Sequence, residues 1–158
     1  MKNKRPEQIW RPVATLLLIL YIIVMIYLLF LSETMGRTGS HEIRYNLVPF
    51  REIGRYFSLR RAMWVLFAVN ILGNIAAFVP LGAFLPILMP PGLKSGWFII
   101  TCGCVLSAIV ELIQLITMTG SCDVDDIFLN TIGTMIGYLL YFLCRALYIH
   151  LYRKRRAG

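Results

Sequence analysis

The sequence predicts an all-α protein: a polytopic membrane bundle of four transmembrane helices, with a short interfacial helix in its first long loop. Three observations carry that reading. Of the 158 residues, 58% are hydrophobic and 15% charged, and the mean hydropathy is +0.70. A soluble domain is about half apolar and a quarter charged, and a disordered chain is poorer still in apolar residues. Four apolar runs each reach the ~20 residues that a helix needs to cross a bilayer. The excess of basic charge, +8 in all, lies mostly beside those runs. That placement suits lipid headgroups and topology control better than nucleic acid. The length fits one unit, residues 1–158.

The first span, about 13–31 (VATLLLILYIIVMIYLLFL), holds no charge. It exceeds the ~7–15 residues of a signal-peptide core and no small-residue cleavage site follows, so it reads as an uncleaved span. The second, about 62–89, contains Asn70, Asn74, Pro80 and Pro86; the third, about 96–118, holds Glu111; the fourth, about 126–151, has Arg145 near its end. Arg145 lies 19 residues past Asp126, about 28 Å at helical rise, which brings it to the far interface.

Four spans put both termini on one side. That side carries Lys2, Lys4, Arg5, Arg11, Lys94 and the run Arg153, Lys154, Arg155, Arg156, nine basic residues against six in the opposite loops. The positive-inside rule then places both termini in the cytoplasm. In the long first loop, PFREIGRYFSLRR puts Ile53, Tyr56 and Phe57 on one helical face and Arg51, Arg55 and Arg60 largely elsewhere. That pattern fits a helix lying in the membrane interface; the alternative is a solvated surface loop.

The chemistry is read from residues that are expensive in hydrocarbon. Asn70 and Asn74 lie one turn apart on the second span. Ser107, Glu111 and Gln114 form a stripe on the third, and Asp123, Asp125, Asp126 and Asn130 open the fourth. Counting from Ala62, Met118 and Asp126 as the outer ends, Asn70 falls about 12 Å deep, Asn74 about 18 Å, Glu111 about 10 Å, and Gln114 and Asn130 about 6 Å, with Asp126 at the surface. All lie in the outer half of the bilayer, where one shared polar cavity opening outward would satisfy them together. Asp123 and Asp125 also suit helix N-caps, the asparagines suit hydrogen bonds between helices, and Gly133 and Gly137 form a GxxxG pair suited to close packing or to a homo-oligomer. Glu111 is the acidic residue well inside a span, and a carboxylate there needs protein, water or a partner. The four cysteines show no zinc spacing and read as small apolar side chains. His41 and His150 stand apart near segment ends and suggest no catalytic role, and no cofactor is expected.

Four blocks in order then suggest a family: NLVPF at 46–50, GNIAAFVPLG at 73–82, Glu111 with Gln114, and DVDDIFLNTIGTMIGY at 123–138. Together they resemble the VanZ-like family of bacterial membrane proteins, over roughly residues 45–140. Family members often carry an arginine shortly before the aspartates; MTGSCDVDD has none, so a fixed cation there would have to come from Arg44, Arg51 or Arg55. The resemblance implies a multi-pass protein of the bacterial plasma membrane, working at the cell envelope and connected with low-level teicoplanin resistance. It implies no established reaction. Its motif positions include Asn46, Asn74, Glu111, Gln114, Asp123, Asp126 and Asn130.

Three functions fit these residues. A non-catalytic envelope protein would bind a lipid headgroup (anionic or polyprenyl-phosphate), a lipid-linked cell-wall intermediate, a glycopeptide-related target or a partner protein, through Arg51, Arg55 and the polar groups Asn46, Asn70, Asn74, Glu111, Gln114, Asp123, Asp126 and Asn130. An intramembrane hydrolase or transferase would use Glu111 as general acid or base with Asp123 or Asp126 as a second carboxylate; the same carboxylates could hold a divalent cation. A small carrier would need oligomers, since four spans without repeats make a poor monomeric transporter.

Overall fold

The computed structural model describes residues 6–31, 44–49, 61–117 and 121–157, with the side chains of 6–9, 28–31, 44, 61–64, 66, 67, 121 and 155–157 left aside. The expected interfacial helix, with Arg51 and Arg55, lies outside the described residues. Four helices account for most of the rest: α1 (Pro6–Leu31), α2 (Arg61–Leu88), α3 (Gly96–Thr117) and α4 (Val124–Ala157). Each contains a window long and apolar enough to span a membrane: Trp10–Tyr27, Ala68–Leu88, Gly96–Thr117 and Val124–Lys154. The four-helix membrane bundle read from hydropathy is therefore the architecture found.

A second kind of element joins the helices. Strand β1 (Arg44–Asn46) pairs in parallel with β2 (Ser121–Asp123), in the register Arg44↔Ser121, Tyr45↔Cys122, Asn46↔Asp123. The loop after α1 is thereby fastened to the loop before α4. This end of the bundle is called the strand end, and the opposite one, where the α2–α3 link lies, the terminal end.

Helix α4 packs chiefly on α2, then on α3, while α1 lies against α2. The α2–α4 contact is made by backbone. A methyl group at Gly133 would strike the carbonyl of Ile75, one at Gly137 the carbonyl of Val79, and one at Gly82 the carbonyl of Thr134. Small residues let membrane helices approach this closely, where van der Waals contact and not water exclusion holds them. The GxxxG pair at Gly133 and Gly137 thus packs on α2 within the chain.

Helix α1 shows the opposite pattern. Among its described side chains only Ala14 is buried, with Leu18, Tyr21 and Met25 half-buried along the same seam. At its start, the guanidinium of Arg11 donates to the carbonyl of Leu88 at 2.6 Å. That bond satisfies an orphan carbonyl at the end of α2 and places a cation at the negative end of its dipole. At the same end, the Tyr138 hydroxyl donates to the carbonyl of Lys94 at 3.1 Å, tying α4 to the link before α3.

Candidate functional site

The buried stripe of α3 is Ile99, Gly103, Ser107 and Glu111, four residues apart and facing α4. Each member meets a matching residue. Gly103 leaves room for the Thr134 side chain, which a methyl group at 103 would overlap. Ser107 accepts a hydrogen bond from Asn130 Nδ2 at 2.8 Å. Glu111 Oε2 accepts from the backbone N–H of Asp123 at 2.9 Å. Thr134 Oγ1 donates to the Asn130 carbonyl at 3.1 Å, closing the ladder along α4. Ser107, Glu111, Asn130 and Thr134 are all buried, so each hydrogen bond replaces one that lipid could not supply. The Oδ1 of Asn130 has no hydrogen-bond partner among the described residues, since Ser107 takes up only one end of its amide.

Above this ladder, Asp123 is the hub. Its Oδ1 accepts from Asp125 N–H at 2.9 Å, the N-cap bond that starts α4, and from Asn46 Nδ2 at 3.2 Å. The other end of the Asn46 amide accepts from Val48 N–H at 3.3 Å. From α2, Asn74 Nδ2 donates to Asp126 Oδ1 at 2.5 Å. Asn46, Glu111, Asp123 and Asp125 are buried together. The expected N-cap function belongs to Asp123, and Asp125 is the residue whose N–H it receives.

The structure therefore brings together Asn46, Asn74, Glu111, Asp123, Asp126 and, one turn deeper, Asn130. It leaves two candidates outside. Asn70 is exposed, and Gln114 is half-buried with no side-chain hydrogen bond among the described residues. Thr134 and Gly103 belong to the ladder and escaped the sequence reading. The available signal was Thr134 one turn beyond Asn130, facing a stripe extended back by four from Ser107.

The depth expectation changes as well. Counting along the fourth span puts Asp126 at the membrane surface, but three residues earlier the N–H of Asp123 reaches the Glu111 carboxylate, about 10 Å deep on the same reckoning. The reason is β2, which packs beside α3 and brings Asp123 to the level of Glu111 before α4 begins. Asn130 accordingly lies level with Ser107, ten residues and about 15 Å inside the end of α3 at Thr117.

Among the described residues, no group of three or more histidine, cysteine, aspartate or glutamate side chains is placed to hold a metal ion. The thiol of Cys122 is pushed up from its ordinary value, first by burial and then by the negative charges of Glu111 and Asp123.

The model of the VanZ/LLP1 family matches residues 18–145. The protein named "Protein VanZ" from Enterococcus faecium is 27% identical over 132 residues, covering 80% of this chain and 72% of that protein. No solved structure matches.

Proposed function

The chain belongs to the VanZ/LLP1 family, and on that premise we propose that it is a non-catalytic protein of the cell envelope. At the strand end it binds an anionic lipid headgroup or a lipid-linked cell-wall intermediate, and by doing so it lowers susceptibility to teicoplanin. Both termini lie in the cytoplasm, so the strand end faces outward, as the basic residues at the ends of the chain favour.

One observation supports a binding scaffold over an enzyme. The carboxylates that could perform chemistry are committed to holding the protein's own parts: Glu111 to the Asp123 N–H, Asp123 to Asn46 and the Asp125 N–H, and Asp126 to Asn74. Their work is to fasten the first loop, through β1, to three spans. That loop carries Arg51 and Arg55, which suit phosphate oxygens. The enzyme reading draws on the nearness of Glu111 to Asp123 and needs one of them to release its present bond to meet a substrate proton.

The test is the lipid that co-purifies with the protein. Mass spectrometry of the gently solubilised protein should show a retained anionic or polyprenyl-phosphate lipid, and Arg51→Gln with Arg55→Gln should remove it and restore teicoplanin susceptibility. A lipid-free protein whose double variant still protects the cell would overturn the proposal. Conversion of the retained lipid to a product on incubation would move the assignment to the enzyme.

A further inference from the structure

The paired strands lie at a depth where a soluble loop would not be. Glu111 is six residues before Thr117, the end of its membrane-spanning window, or about 9 Å inside it at helical rise. Side chains on a helix leave the backbone leaning toward its N-terminus, which for α3 is the terminal end, so the Glu111 side chain starts out away from the strand-end surface. The Asp123 N–H meets that carboxylate at 2.9 Å, and Asp123 is paired with Asn46. Strand β1 is held by the same register, so it too lies level with the apolar stretch of α3.

What β1 shows to its surroundings fits that depth. Asn46 turns inward and is buried, while Tyr45, Leu47 and Val48 are 65%, 62% and 55% exposed. At this level exposure means contact with lipid. Non-helical backbone is tolerated at membrane depth only where its polar groups are taken up by protein. Polar backbone is taken up here: β1 and β2 pair with each other, the Asp123 N–H goes to Glu111, and the Val48 N–H goes to the Asn46 amide.

We propose that residues 45–48 form a re-entrant wedge whose Tyr45, Leu47 and Val48 side chains lie against the lipids of the strand-side leaflet, at the boundary of headgroups and acyl chains. Tyrosine beside aliphatic residues is the composition that such a boundary selects. The buried carboxylates then have a physical purpose: Glu111 and Asp123 supply the acceptors that let a short strand pair sink below the surface. The inference needs the four spans but no bound ligand, so it stands or falls separately from the proposed function.

Spin labels provide the test. With Cys102, Cys104, Cys122 and Cys144 replaced by alanine, nitroxides are attached singly at Leu47→Cys and Val48→Cys in bilayer-reconstituted protein. Both positions are exposed, so a label there displaces no packed side chain. References are Ile109→Cys, on the lipid-facing side of α3, and Lys154→Cys, in the basic end of α4. The ratio of oxygen to nickel-chelate collision rates at 47 and 48 should fall between those at 109 and 154 and exceed that at 154 several-fold. Equality with 154 would overturn the wedge. A second measurement avoids labels: Tyr45→Trp, in protein with Trp10, Trp64 and Trp97 changed to phenylalanine, should be quenched by lipids brominated near the headgroup end of the chains. Fluorescence indifferent to those lipids but quenched by aqueous iodide would equally refute it.

Discussion

Helices α1 and α4 both cross the membrane, yet they contribute to the molecule in opposite ways. The first contains the most continuous apolar run of the chain, and nearly every one of its described side chains is exposed or half-buried. The second carries Asp125, Asp126, Asn130, Thr134, Gly133 and Gly137 and lies at the centre of the bundle. In water the ranking would be reversed. In a bilayer, lipid tails are as apolar as leucine, so burying leucine gains little. Association rests instead on close backbone approach and on polar groups that find partners. Apolarity makes a helix a span; small and polar residues make it part of the core.

The largest effect that tests this contrast is expected from the glycines. Gly137→Leu places a branched side chain against the Val79 carbonyl, and helix backbone has no room to yield. Overpacking of this kind costs about 1–3 kcal/mol or more. The variant should lose its monodisperse peak in size-exclusion chromatography. Ile23→Ala in α1, at a position 57% exposed, should leave the peak and the melting temperature close to wild type. Equal damage from both would show that α1 is held by packing after all.

A smaller effect should separate acceptor from charge at Glu111. Glu111→Leu strands the buried Asp123 N–H, a penalty of about 1–3 kcal/mol, and should lower the melting temperature of the purified protein. Glu111→Gln retains an acceptor oxygen and should melt near wild type. If glutamine is as damaging as leucine, the site depends on the negative charge and the strand-anchoring role given to Glu111 is insufficient.

The smallest effect is a change of reactivity. The negative charges of Glu111 and Asp123 add to burial in raising the Cys122 thiol above its ordinary range. Thiolate is the reactive form, and a lower pKa increases its fraction at pH 7. In protein with the other three cysteines replaced by alanine, Glu111→Gln should therefore speed modification of Cys122 by a small methanethiosulfonate reagent. The gain should stay below about tenfold, the change that one unit of pKa would bring. An unchanged rate would mean that the charge at 111 does not reach the thiol.

Much of the molecule was legible because hydropathy is a local property. The four spans, the N-cap at Asp123 and the gathering of Asn74, Glu111, Asp126 and Asn130 toward one end follow from composition and helical spacing, whereas Asn46 entered only through the family resemblance. Asn70 lies exposed although it shares a face with Asn74, because sharing a face does not guarantee a neighbour at its own level. Gln114 was included on similar grounds, but the stripe that meets α4 runs by fours from Glu111 back to Ile99 and leaves Gln114 at its flank.

By itself, then, the sequence determined that the chain crosses a membrane four times and that its costly polar residues gather toward one end. Those results depend on runs of neighbouring residues and on the free energy of placing each in lipid. Only the tertiary structure decided how deep that cluster sits and what holds it. Strands of three residues leave no periodic signal, and the Asn46–Asp123 contact joins residues 77 apart. Pairing across that distance exists only once α2, α3 and α4 have packed. The same holds for the glycines: a GxxxG pair announces a close approach, but the folded chain chose Ile75 and Val79 as what it approaches.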